Sequence, residues 1–184
     1  PSFFARIGGQ YRWQIILRGF ILTRRPRALA PRYREIWLEQ GSPLLVWSQA
    51  QVQGVQRALA EQGVAVHVEL GMRYGNPSVS SAMQALRAAG CERILVMPMY
   101  PQYAASTTAT AVDCVSTHMA ALRNQPELRF VKRYHDDPGY IDALARQVEN
   151  YWDQPGKPQR LLLSFHGLPR RTIEAGDPYY RDCM

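Results

Sequence analysis

The chain has 184 residues, 46% of them hydrophobic and 20% charged, a globular composition that excludes the disordered and fibrous classes and allows one well-buried domain, or one plus the start of another. Its formal charge of +7 favours an anionic partner, whether nucleic acid, a membrane surface or an acidic small molecule, without choosing among them. Cys91, Cys114 and Cys183 lie far apart with no CxxC or Cys/His spacing, so neither a disulfide framework nor a zinc site is indicated and a reducing compartment is expected.

Residues 1–43 are helical in pattern but studded with Arg, Pro and large apolar side chains, as in a separate lip or flap. Arg12 and Arg18 interrupt their most hydrophobic stretch, YRWQIILRGFIL, which can lie on a membrane but is too short and too charged to cross one. Arg24, Arg25, Arg27, Arg32 and Arg34 crowd the same region beside aromatic and aliphatic residues. That mixture suits an acidic ligand with a large apolar body, and equally a solvated basic helix. The opening PSFFARIGG has neither an initiator Met nor a signal-peptide pattern, so the chain is expected to begin mid-protein.

From about residue 44, short aliphatic runs alternate with longer amphipathic stretches, the signature of an α/β fold. PLLVWS reads as a short extended segment, and SQAQVQGVQRALAEQG as a helix with Val52, Val55 and Leu59 on one face and Gly63 at its stop. VAVHVELGM reads as a strand, SVSSAMQALRAAG as a helix closed by Gly90, and RILVMPM as an apolar strand. TTATAVDCVSTHMAALRNQ is the next helix, ELRFVKRY a strand, PGYIDALARQVENYW a helix, and RLLLSF a final buried strand. DQPGKPQ, 153–159, is the clearest linker. Strands that are apolar almost throughout predict a parallel sheet covered by helices on both faces. In such sheets ligands bind beyond the carboxyl ends of the strands, which directs attention to the residues after each one.

After VAVHVELGM comes RYGNP, where Arg73 offers a planar fork that matches a carboxylate or pins a loop. After RILVMPM, YPQYAASTTAT brings Tyr100 and Tyr103 together ahead of a helix that Ser106, Thr107 or Thr108 can cap. HDDPGY places His135, Asp136 and Asp137 before another helix, an arrangement that suits an N-cap better than a metal site. The last run delivers His166 into a turn where Gly167 and Pro169 constrain the backbone. A lone histidine is more often structural, but its place at an edge where other polar loops converge favours function. His67 and His118 have no such support and read as surface or packing residues.

With these residues assembled, the sequence resembles the ferrochelatases, which insert ferrous iron into a porphyrin to complete haem. The resemblance rests on SFHGLP followed by GDPYY, on YPQYAASTTA, on MRYGNPS and on YREIWLEQGSPL, four separated tracts in the family's order. It is nearest to the protoporphyrin-using bacterial members. It implies two similar Rossmann-like α/β domains with the porphyrin between them beneath a hydrophobic lip. On that reading residues 1–43 are the lip, 44–158 the first domain, and 159–184 the start of the second. His166 matches the family's active-site histidine, a metal ligand or proton acceptor. Arg25, Tyr33 and Ser42 match porphyrin-contacting positions, and Arg73, Tyr100 and Tyr103 match positions around the pocket.

The chemistry fits those residue types. Metallation removes two pyrrole N–H protons while Fe²⁺ exchanges water for four ring nitrogens, and a neutral imidazole can accept a proton or bind the metal. Arginines suit propionates, and aromatic and aliphatic side chains suit the macrocycle. Ferrous iron and protoporphyrin IX are thus the implied substrates, in the cytoplasm or peripherally at the inner membrane face. Two departures carry expectations of their own. Ala105 stands where some members have a cluster-ligating cysteine, so no iron–sulfur cluster is expected. Asp137 stands where others have a histidine, which weakens a metal-handling role for that turn. The family's opening strand and Gly-rich loop, and the second-domain glutamate that faces the histidine, are not in the sequence, which reads as an internal fragment. The rival readings are a coproporphyrin or cobalt chelatase of the same fold, a porphyrin-binding module without turnover and, on charge alone, a nucleic-acid binder; no nucleic acid is expected.

Overall fold

The computed structural model describes residues 17, 22–154, 156 and 158–184. Most of the 1–21 stretch and the side chain of Arg25 therefore lie outside the described residues. The chain divides into two compact units, Pro1–Ala65 and Val66–Met184.

In the first unit, α1 spans Leu22–Glu35 and ends with Arg32 and Arg34 in its last turn, where the helix dipole favours cations. A tight turn follows, with Leu38 and Gly41 exchanging backbone hydrogen bonds of 3.0 and 3.1 Å. It delivers Ser42 to the start of α2, Pro43–Glu61, where the Ser42 Oγ accepts the Leu45 N–H at 3.2 Å. PLLVWS is therefore the opening of a helix and not an extended segment. A capping serine followed by proline at the first helical position is a helix start, and it outweighs the aromatic and β-branched composition of the six residues after it. The helix ends at Gly63, whose φ of +74° suits the left-handed stop position.

In the second unit the elements are α3 (Val79–Ala88), β1 (Arg93–Val96), α4 (Thr108–Ala120), β2 (Glu127–Phe130), α5 (Pro138–Trp152), α6 (Arg170–Glu174) and α7 (Tyr179–Cys183). Ser78 caps α3 by accepting the Ser81 N–H at 3.1 Å, and Gly90, at φ +78°, closes it. β1 and β2 pair in parallel with Ile94 opposite Leu128, joined by the crossover helix α4. This is the parallel α/β arrangement expected from the sequence. The core lies where α3 and α4 meet the sheet: Val79, Met83, Ile94, Val115 and Met119 are buried together, with Leu86, Val96, Leu128 and Phe130 packed against them. Each such side chain contributes about 1.5–3 kcal/mol through the apolar surface it removes from water.

Two expected strands are not part of the sheet among the described residues. VAVHVELGM joins the sheet nowhere among the described residues. Its end turns back instead, with the Met72 N–H bonding Pro77 O at 2.7 Å and the Val79 N–H bonding Met72 O at 3.3 Å. That turn commits the backbone to starting α3. Gly71 approaches the helix so closely that a Cβ there would lie 3.2 Å from the Val79 Cα. RLLLSF has no strand neighbour among the described residues, and Leu162 and Leu163 are 89% and 70% exposed instead of buried. A strand forms only against a partner that takes its N–H and C=O groups.

Candidate functional site

Because β1 and β2 are parallel, the loops after them leave the same edge of the sheet. The two loops brace each other. The Val131 N–H continues the ladder to Val96 O at 3.0 Å, and the Tyr134 N–H reaches Pro101 O at 2.9 Å. Lys132 Nζ lies 5.0 Å from the centre of the Tyr103 ring, a cation over an aromatic face. Tyr134 packs edge-on against Tyr140 with 5.3 Å between ring centres. Burial, with Tyr140 adding, pushes its phenol above the ordinary tyrosine range. Tyr100 is exposed and Tyr103 half-buried, so the YPQY loop presents aromatic surface from a braced backbone.

Arg73 is engaged in the same unit. Its Nε donates to the Thr110 carbonyl in the first turn of α4 at 3.0 Å, and its guanidinium carbon sits 4.7 Å over the Tyr74 ring. Loop pinning therefore accounts for one face of this arginine. The hydroxyls ahead of α4 do not cap it: Thr107 makes no side-chain cap, and its Oγ1 donates back to Ala104 O at 3.3 Å. Asp137, by contrast, caps α5, its Oδ1 accepting the Gly139 and Tyr140 N–H groups at 2.9 and 3.1 Å. The carboxylate in that turn has a structural task.

His166 is exposed, and its backbone N–H donates to the Tyr179 hydroxyl at 3.2 Å. Tyr179 opens α7, and Asp177, two residues earlier, uses both carboxylate oxygens: Oδ1 accepts the Tyr179 N–H at 3.0 Å and Oδ2 accepts the Ala105 N–H at 2.8 Å. Burial and the Cys183 side chain raise the Tyr179 phenol above its ordinary value, while the His166 N–H opposes them. Further along α7, the buried Asp182 accepts from Arg133 Nη1 at 3.0 Å, with His135 Nε2 at 3.9 Å. The segment 177–182 thus touches the loop after β1, the loop after β2 and the histidine turn.

Among the residues singled out from the sequence, Arg73, Tyr100, Tyr103 and His166 belong to this linked framework of the second unit. Tyr33, on α1, and Ser42, at the start of α2, belong to the first unit with the backbone of Arg25. No role for Arg133, Asp177, Tyr179 or Asp182 is legible in the sequence alone. The GDPYY tract is visible as a motif, but the ties of Asp177 to Ala105, Asp182 to Arg133 and Tyr179 to His166 span 72, 49 and 13 positions, and no local spacing announces such pairings. Among the described residues no group of three His, Cys, Asp or Glu side chains is gathered as a metal site, and none of the helices is long and apolar enough to cross a membrane.

A family model described as Ferrochelatase matches residues 5–184. The chain belongs to the ferrochelatase family. Among curated ferrochelatases, that of Bordetella pertussis (strain Tohama I) is 59% identical over 175 residues, which cover 95% of this chain and 48% of that protein. Those of Bordetella parapertussis and Bordetella bronchiseptica are each 58% identical over the same length and shares. The chain spans about half the length of the curated ferrochelatases it matches. In this chain the second unit is a helix-rich α/β unit with a small parallel sheet.

Proposed function

We propose that the intact protein is a ferrochelatase that inserts Fe²⁺ into protoporphyrin IX with release of two protons. The observation that carries this reading is the family match over residues 5–184. The exposed His166, linked through Tyr179 and Asp177 to the Ala105 backbone after the YPQY loop, supports it chemically.

The reaction asks for a base near the pyrrole nitrogens and for a path by which iron sheds water. His166 accepts a pyrrole proton or binds the incoming iron through its imidazole. Tyr100 and Tyr103 give the macrocycle flat aromatic surface, and Tyr33 and Ser42 contact it from the region of residues 1–43, which acts as the lip. Arg25 pairs with a propionate, and Arg73 offers to another the nitrogens that its bond to Thr110 leaves over. Residues 44–158 serve as the first domain and 159–184 as the entry to a second. The protein works in the cytoplasm, with the lip touching the inner membrane face. No iron–sulfur cluster takes part, because Ala105 offers no thiolate.

The test is a metallation assay on the intact protein with protoporphyrin IX and ferrous iron under anaerobic conditions, followed by the change in porphyrin absorbance. Saturable iron insertion is expected. Insertion into coproporphyrin but not protoporphyrin, or of cobalt but not iron, would overturn the substrate assignment. A second reading is favoured by the chain's half-length coverage of its relatives: these 184 residues alone bind porphyrin without turnover. Porphyrin titration of this chain beside the same assay separates binding from catalysis.

A further inference from the structure

We infer that Lys132 is a positioning residue for Tyr103: its ammonium holds the tyrosine ring in the orientation that meets the porphyrin. The inference rests on the ferrochelatase reading for what the ring meets, but the contact between the two side chains stands on geometry.

Tyr103 lies in the loop after β1 and Lys132 in the loop after β2, and both loops leave the same edge of the parallel sheet. Backbone bonds fix the main chain on each side of the contact. One residue before the lysine, the Val131 N–H continues the ladder to Val96 O at 3.0 Å, and two residues after it the Tyr134 N–H reaches Pro101 O at 2.9 Å. Beside the tyrosine, Ala104 is buried and its carbonyl accepts the Thr107 and Ala109 N–H groups at 3.1 and 3.3 Å. What remains free to vary is the ring itself, through two side-chain torsions. Lys132 Nζ lies 5.0 Å from the ring centre, inside the roughly 6 Å over which the negative π face draws a cation. The carboxylates of the neighbouring segments are engaged elsewhere: Asp137 accepts the Gly139 and Tyr140 N–H groups, and Asp182 pairs with Arg133 at 3.0 Å. A ring already ordered binds its ligand at lower entropic cost, because the rotamer freedom is given up before the porphyrin arrives. The sign of the charge sorts the role further. A fixed ammonium repels Fe²⁺, so it suits the binding of an anionic porphyrin and not the passage of iron.

The experiment compares, in the intact protein, wild type, Lys132→Met, Lys132→Arg, Tyr103→Leu, the double variant of Lys132→Met with Tyr103→Leu, and Arg129→Met. Arg129, on β2 and paired with Glu127 at 3.0 Å, controls for the loss of one positive charge. The readouts are kcat and KM for protoporphyrin and the proton chemical shift of the Lys132 ε-methylene. In the wild type the ring current of Tyr103 is expected to move that methylene upfield, and Tyr103→Leu to return it. Lys132→Met raises KM about threefold, the scale of one partly exposed contact between a cation and an aromatic face. Its kcat stays within about twofold, because the loss falls on binding. Lys132→Arg keeps KM near the wild-type value, since a guanidinium also sits on an aromatic face. Tyr103→Leu raises KM at least as much, and adding Lys132→Met to it changes nothing more, because the lysine acts through the ring. Arg129→Met leaves KM unchanged. Absence of the upfield shift, or a wild-type KM in either Lys132→Met or Tyr103→Leu, would overturn the inference. So would a rise in KM that Lys132→Met still causes in the Tyr103→Leu background, the mark of direct pairing with a propionate. If the wild type binds porphyrin but inserts no iron, the ferrochelatase reading fails, while the porphyrin dissociation constants of the same proteins still decide the inference.

Discussion

Asp182 shows how a single residue's surroundings set its worth. Its side chain is 2% exposed, and Arg133, its ion-pair partner at 3.0 Å, is 40% exposed. The asymmetry predicts unequal costs. Arg133→Ala leaves the buried carboxylate only the more distant Arg181 and His135, each at 3.9 Å, and should lower stability by about 2 kcal/mol, less than a fully buried pair would lose. Asp182→Ala should cost less, because the half-exposed guanidinium can turn to water. Denaturant unfolding of both variants checks the order, and equal losses would contradict it. At this scale the turn at His166 stands out in the sequence because a polar residue after an apolar run, before Gly and Pro, is a local pattern. Arg133 and Tyr179 do not, since their partners are 49 and 13 residues away and their own surroundings resemble any basic or aromatic surface.

Among the elements, helices were read best where a start signal and a periodic face agree. Asp137 ahead of Pro138 marked α5, and its carboxylate does accept two N–H groups of the first turn. Asp137→Ala should therefore cost about 1 kcal/mol and Asp137→Asn much less, measured as shifts in the unfolding midpoint. Iron insertion should be little affected by Asp137→Asn if the carboxylate is a cap and handles no metal. The same logic applies at residue 43, where the helix start carried by Ser42 and Pro43 overrides the extended tendency of LLVW. β1 and β2 were legible as apolar runs, whereas VAVHVELGM and RLLLSF have similar composition and do not pair with them. Composition reports the tendency to be a strand. Only a neighbour makes one.

At the scale of the molecule, the parallel α/β class follows from the alternation of runs and helices, while the extent of the sheet does not. The apolar run around Leu162 presents several large side chains to water in this chain, which favours association. These 184 residues in isolation should bind a hydrophobic dye and self-associate in sedimentation velocity, and Leu162→Lys with Leu163→Lys should reduce both. A wild-type chain that is monomeric and dye-silent would contradict that. We propose that His166 does the chemistry on a bound porphyrin. That role is tested most directly by iron insertion in the intact His166→Ala protein, with porphyrin binding measured in parallel. A loss of at least about a hundredfold in rate, the scale of a removed general base, with protoporphyrin affinity largely kept, is the predicted result. Insertion at the wild-type rate would contradict it.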